Sequence, residues 1–258
     1  MIRFHSRLAS RELCEAIHEA VGGAAECSTP EYHFADRIRW FDMNLLTMVK
    51  MLAEGMGRSI LIYLLTLLGA LPLGLLVAFG RMSKVKPLQL FVKFYISVMR
   101  GTPLMLQLMV VFFGPYYLFG VAAGSGYRFA AVVIGFVINY AAYFAEIYRG
   151  GIEAIPQGQR EAAQVLGYSR ARTFLTIILP QMVKRILPAI TNEMITLVKD
   201  TSLAFAISYS EMFTLAKKIA SSHTTLMPFV VAGVFYYVFN FVVAFCMERC
   251  EKRLAYYH

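Results

Sequence analysis

Charge is scarce in this sequence. Asp, Glu, Lys and Arg together supply 16% of its 258 residues, where a soluble domain carries roughly 25%. Hydrophobic residues make up 58%, and mean hydropathy is +0.57, so a soluble fold would have too little polar surface to cover its outside. A bilayer removes that requirement. Cysteine is sparse too. Cys14 and Cys27 lie in a polar N-terminal stretch, and Cys246 and Cys250 sit one helical turn apart near the C-terminus. A Cys-x3-Cys pair without histidine beside it makes a poor zinc site, so no metal is expected.

The motifs of common chemistries are also missing. No G-x4-G-K-[S/T] phosphate loop occurs, so the chain does not bind ATP in that manner. There is no His-Glu-x-x-His, serine elbow or cysteine–histidine constellation. His5, His18, His33, His223 and His258 are scattered. Nothing here points to an enzyme, and no catalytic residue is assigned. The N-terminus carries alternating charges where a signal peptide would need an apolar run.

The formal net charge of +9 raises the question of nucleic acid. Its distribution argues against that partner. Residues 1–58 hold seven basic and eight acidic residues, while the remaining 200 hold 18 basic and eight acidic, placed mainly at the ends of apolar runs. Such punctuation is a membrane topology signal, not a phosphate-binding stripe.

Those apolar runs define the organisation. Ile60–Phe79 is uncharged for 20 residues, long enough to cross a ~30 Å hydrocarbon core at ~1.5 Å per residue. A second segment is interrupted by Lys93 and by Arg100-Gly101-Thr102-Pro103; Phe129–Ala145 is a third, uncharged for 17 residues. A fourth begins at Phe174 and carries Lys184, Arg185, Glu193, Lys199 and Asp200, and Pro228–Met247 is a fifth, uncharged for 20 residues. Five helices are therefore expected, over about 59–80, 88–119, 128–149, 174–200 and 228–248. The connection 81–86 holds three Lys/Arg, the 149–173 connection four and the tail three, whereas 120–127 holds none. This bias puts those three in the cytoplasm, with the C-terminus inside and the N-terminus outside.

Residues 1–42 differ from the membrane domain, 43–258. Ser10 is placed to cap a short helix with Leu13, Ala16, Ile17, Ala20 and Val21 at helical spacing, stopped by Gly22-Gly23. The stretch reads either as a peripheral extension or as sequence upstream of a natural start at Met43, Met48 or Met51.

The polar connection 150–173 reads as two short helices joined by a turn. Glu161-Ala162-Ala163-Gln164-Val165-Leu166 consists mostly of good helix formers. Gly167 follows where a left-handed cap belongs. The alanines allow another surface to approach closely, and Glu161 offers an acceptor. By itself this describes an ordinary interfacial helix. Over the longer stretch, Glu161-Ala162-Ala163, three residues, Gly167, nine residues, then Ile177-Ile178-Leu179-Pro180 resembles the EAA-x3-G-x9-I-x-L-P signature of ABC importer permeases. Arg100-Gly101-Thr102-Pro103-Leu104, the run Asn139–Ile152 and Leu197–Ala204 are similar to permeases for polar amino acids of the histidine/glutamine/arginine type. The resemblance covers about 55–255.

The resemblance implies an all-α membrane protein with the type I five-transmembrane-helix permease fold and a cytoplasmic coupling-helix loop. It implies a bacterial cytoplasmic membrane, and polar amino acids as substrate. The implied partners are separate ATPase subunits carrying ATP and Mg, an extracytoplasmic substrate-binding protein, and a second permease, identical or related. Membrane lipid surrounds the chain, and no cofactor is held in it. Glu161, Ala162, Ala163 and Gly167 then carry ATPase coupling. An ATP-independent secondary transporter or channel is the alternative, and it has no need for such a loop.

Ionisable groups within a bilayer normally face a pathway or a partner. If the fourth segment stays helical, Glu193, Thr196 and Asp200 share one face. They offer acceptors for an ammonium group, with Lys199 alongside, unless Lys199 and Asp200 already lie at the external interface. Asn139 is a further pathway candidate, although Asn139 and Gln107 also suit interhelical hydrogen bonds. Glu146 and Arg149 read as a local ion pair. Arg100 with Gly101, Thr102 and Pro103 reads either as a kinked gate or as a snorkelling interfacial arginine. Tyr116, Tyr117, Phe119, Tyr127 and Phe129 read as an interfacial aromatic belt.

Overall fold

A computed structural model describes residues 45–120 and 126–254, and within these every regular element is helical. The expectations for residues 1–42 lie outside the described part. Contacts divide the chain at Thr47, and the packing below is that of the second unit, residues 48–258.

Helix α1, Leu45–Arg81, begins fourteen residues before the expected 59. The charge-free run marks only its greasy half. In the earlier half Lys50, Glu54 and Arg58 fall on the exposed side, while Met48, Leu52, Gly55, Met56 and Ser59 are buried. An amphipathic stripe extends the helix beyond the purely apolar stretch.

The second segment is two helices rather than one over 88–119. α2, Lys86–Gly101, and α3, Leu104–Phe119, meet at 111°. Thr102 and Pro103 are extended there, as a residue preceding proline prefers. α4, Tyr127–Glu153, is the central helix, packed against α2, α3 and a later helix, α7, Leu179–Asp200. Phe136, Tyr140 and Phe144 fill its buried face, and Ala141, Ala142 and Ala145 let neighbours come close. A Cβ at Gly151 would overlap Ile186 of α7, so that approach requires glycine.

α5, Gln157–Val165, forms the polar connection, followed by the short α6, Arg170–Thr173. A π-turn over Phe174–Ile178 leads into α7, Leu179–Asp200. The wide turn falls just ahead of Pro180, whose nitrogen has no proton to donate. The apolar span continues through a 3₁₀ turn, Thr201–Ile207, so the fourth segment runs from Arg170 to Ile207, beyond the expected 174–200. α8, Met212–His223, was not anticipated, because its Lys217 and Lys218 read as a connection. α9, Met227–Leu254, outlasts the expected 228–248. Among the described residues four stretches suffice to cross a membrane, five if the bent α2–α3 pair is one span.

Glu211 fixes the start of α8. Its fully buried carboxylate accepts from the Phe213 and Thr214 N–H groups at 2.6 and 2.7 Å and from Thr214 Oγ1 at 2.8 Å. Ser59 of α1 and Tyr236 of α9 also donate to it, at 3.5 and 3.3 Å. Burial pushes this carboxyl's pKa up, with the bonds from Thr214, Phe213 and Tyr236 working against it.

Candidate functional site: a coupling helix and an intramembrane polar cluster

α5 is a short helix held by its flanks. Its end is closed by a Schellman turn: Gly167 N–H donates to Gln164 O at 3.0 Å and Tyr168 N–H to Ala163 O at 2.9 Å. Gly167 has φ +75°, the left-handed conformation expected of it. Ala163 is buried, while Glu161, Ala162, Val165 and Leu166 face outward. Glu161 accepts from Gln157 Nε2 at 2.9 Å and keeps an open carboxylate edge. Arg160 donates to Ile152 O at the end of α4 (2.9 Å), and Gln181 of α7 donates to Gln159 Oε1 (2.7 Å). Arg185 of α7 donates to Ala154 O (2.7 Å). These contacts tie α5 and the turn before it to the ends of two membrane-spanning helices.

Deeper in the span, the structure brings Glu193 and Asp200 of α7 together with α4. Asp200 Oδ2 accepts from Tyr140 OH at 2.7 Å. Glu193, half-buried, acts electrostatically on Tyr140 and is acted on by Asp200 and Arg100. The Arg100 guanidinium lies 5.3 Å from the Tyr143 ring centre, a cation–π distance. Two carboxylates, two phenol rings and one guanidinium thus form a cluster able to engage both ends of a zwitterion. Thr196 is exposed and donates to Asn192 O of its own helix at 3.0 Å, outside this cluster's hydrogen bonds. Asn139 is buried and directs its amide to Met99 O and Gln107 Oε1 (3.1 and 2.9 Å), the interhelical role open to both residues from sequence. Arg149 pairs with Glu146 at 2.7 Å as expected, and also with Glu153 at 2.6 Å.

Comparison with known proteins decides the class. Residues 70–256 match the family described as binding-protein-dependent transport system inner membrane component. The chain belongs to that family. The arginine transport system permease protein ArtQ of Bacillus subtilis (strain 168) is 36% identical over 207 residues, covering 80% of this chain and 93% of ArtQ. The L-cystine transport system permease protein TcyB of the same organism is 35% identical, covering 79% and 86%. Among solved structures, the crystal structure of an amino acid ABC transporter with histidines matches at 32% identity with a TM-score of 0.73, covering 82% of this chain and 99% of that one. The fold is accordingly the type I importer permease fold.

Within this permease, several residues of the two candidate regions escaped the sequence. Tyr140 and Tyr143 sit inside the recognised 139–152 run, but tyrosines are frequent here, and only the fold shows which meet a carboxylate or a guanidinium. Arg160 holds α5 to the Ile152 carbonyl and Gln159 holds it to Gln181, while Arg185 ties α7 to the Ala154 carbonyl just past α4, contacts that leave no pattern in residue spacing. Of the aromatic belt, Tyr116, Tyr117 and Phe119 are exposed as expected. Tyr127 instead turns inward, donating to Val111 O at 2.7 Å, and Phe129 packs on Tyr209.

Proposed function

We propose that this permease carries polar amino acids across a bacterial cytoplasmic membrane, driven by ATP hydrolysed on separate subunits that bear the Mg²⁺ and nucleotide. Those ATPases dock on α5 from the cytoplasm, where Glu161 and Ala162 meet them; Ala163, expected in the same role, is buried and seats α5 against the rest of the chain instead, and Gly167 sets the helix end. An extracytoplasmic binding protein delivers the substrate, and a second permease, a copy or a relative, completes the path. The C-terminus is cytoplasmic and the N-terminus outside. No cofactor resides in this chain. The observation that carries the coupling role is the attachment of α5 to the ends of α4 and α7.

In the path, Arg100 receives the substrate's α-carboxylate while Glu193 and Asp200 face its ammonium group. Rocking of the helices then exposes this cluster to one side at a time. The test is reconstitution of the chain with its ATPase subunits and binding protein in proteoliposomes, offering each of the twenty amino acids in radiolabelled form. Uptake should require ATP inside the vesicle and should survive collapse of the ion gradients. Uptake that follows an ion gradient without ATP would support the secondary-transporter reading instead.

A further inference from the structure

The carbonyls freed where α2 gives way to α3 have an uncommon arrangement. Pro103 brings no N–H to the 111° break, and unpaired carbonyls are strongly unfavourable inside a membrane span. Two amide side chains answer them, Gln107 foremost. Gln107 Nε2 donates to Met99 O at 3.0 Å, Thr102 O at 3.1 Å and Thr102 Oγ1 at 2.7 Å, two protons shared among three acceptors. Its Oε1 accepts from Asn139 Nδ2, which also donates to Met99 O. Thr102 Oγ1 in turn donates to Val98 O at 2.8 Å.

Arg100 lies inside this knot, between the two carbonyls that Gln107 holds. Gly101 beside it gives no restraint, since a Cβ built there meets nothing within 4 Å. Among the described residues no side-chain hydrogen bond sets the direction of Arg100; its ring contact is with Tyr143, and its charge acts on Glu146 and Glu193. We infer that Gln107 is a positioning residue for Arg100: by holding the Met99 and Thr102 carbonyls that bracket it in the chain, it aims the guanidinium at the cluster beside Tyr143 and so sets how tightly substrate is held. The inference rests on the proposed reading that Arg100 faces the path.

The test is a double-mutant cycle in the complete reconstituted importer, using the amino acid that the wild-type carries fastest. Gln107→Leu keeps bulk and removes the knot's donor; loss of several hydrogen bonds should raise the KM of uptake about tenfold with Vmax little changed. Arg100→Gln should raise KM at least as much. The double variant should match Arg100→Gln alone, because Gln107 acts only through that residue. Effects that multiply, or a lower Vmax at unchanged KM, would overturn the inference and leave Arg100's own role standing. A wild-type KM for Arg100→Gln would remove that role, and the positioning claim with it. If Gln107→Leu fails to assemble, Thr102→Val at an exposed position serves: about threefold in KM, and no further effect in the Arg100→Gln background.

Discussion

The proposed coupling helix, α5, and the intramembrane cluster are built in opposite ways. α5 is written in one contiguous stretch, closed by its own backbone turn and exposed on the face it presents. The cluster draws Arg100 from α2, Tyr140 and Tyr143 from α4, and Glu193 and Asp200 from α7, and it is partly buried. A local surface has to keep one shape for a protein partner. An assembled one changes its spacing whenever the helices that bear it move. The first suits force transmission and the second suits a site that opens to alternate sides.

The largest expected effect separates the two regions. Glu161→Lys reverses the charge on the outward face of α5 while leaving Ala163 buried and the Schellman turn intact. ATP-dependent uptake should fall to background while the complex assembles and the permease still binds substrate. Uptake and substrate binding measured on one preparation check this. Undiminished uptake would remove Glu161 from the coupling surface, and joint loss of binding would mean the two regions are not separable.

The same contrast explains what sequence could reveal. The five apolar stretches and Gly167's turn were legible because each depends on neighbours in the chain. Helix ends were not. Leu45–Ser59 falls outside the charge-free run because of Lys50, Glu54 and Arg58, until the burial of Met48, Leu52 and Met56 shows its amphipathic stripe. α8 hid behind Lys217 and Lys218, both exposed while Met212, Ala216 and Ile219 pack inward. In the cluster, Glu193 and Asp200 stood out because carboxylates are rare in spans, whereas Tyr140 acquires its meaning only by meeting Asp200 across sixty residues.

A smaller effect sharpens the cluster's side of the comparison. Asp200→Asn keeps an acceptor for Tyr140 OH and removes only the charge; Tyr140→Phe keeps the charge and removes only the bond. If Asp200 faces the ammonium group of the substrate, Asn should raise KM about tenfold, given that hydrogen bonds to charged groups are worth about 1.5–3 kcal/mol. Phe should cost less. Glu193→Gln should change the order of preference among amino acids more than it changes assembly. Equal KM values for wild type and Asp200→Asn would place the Tyr140–Asp200 bond in the architecture rather than the path. Uptake at saturating substrate should stay near wild type throughout, which is where these variants differ from Glu161→Lys.

The smallest effect comes from the turn that ends α5. Gly167 holds a left-handed φ of +75° with open space around its Cα, so a side chain there meets backbone strain and no clash. Alanine in that conformation costs about 1 kcal/mol, while asparagine visits it more readily. Neither change removes a contact, and neither should prevent assembly. What changes is the fidelity with which α5 ends where the Tyr168 N–H meets Ala163 O. Uptake per ATP hydrolysed should therefore rank Gly above Asn above Ala, within a few-fold. The ranking is diagnostic because backbone strain alone orders Asn ahead of Ala, whereas side-chain bulk would reverse them. Equal coupling in all three would mean that the geometry of the helix end does not limit the transmission of force, leaving the clamps of Arg160 and Gln181 to carry it.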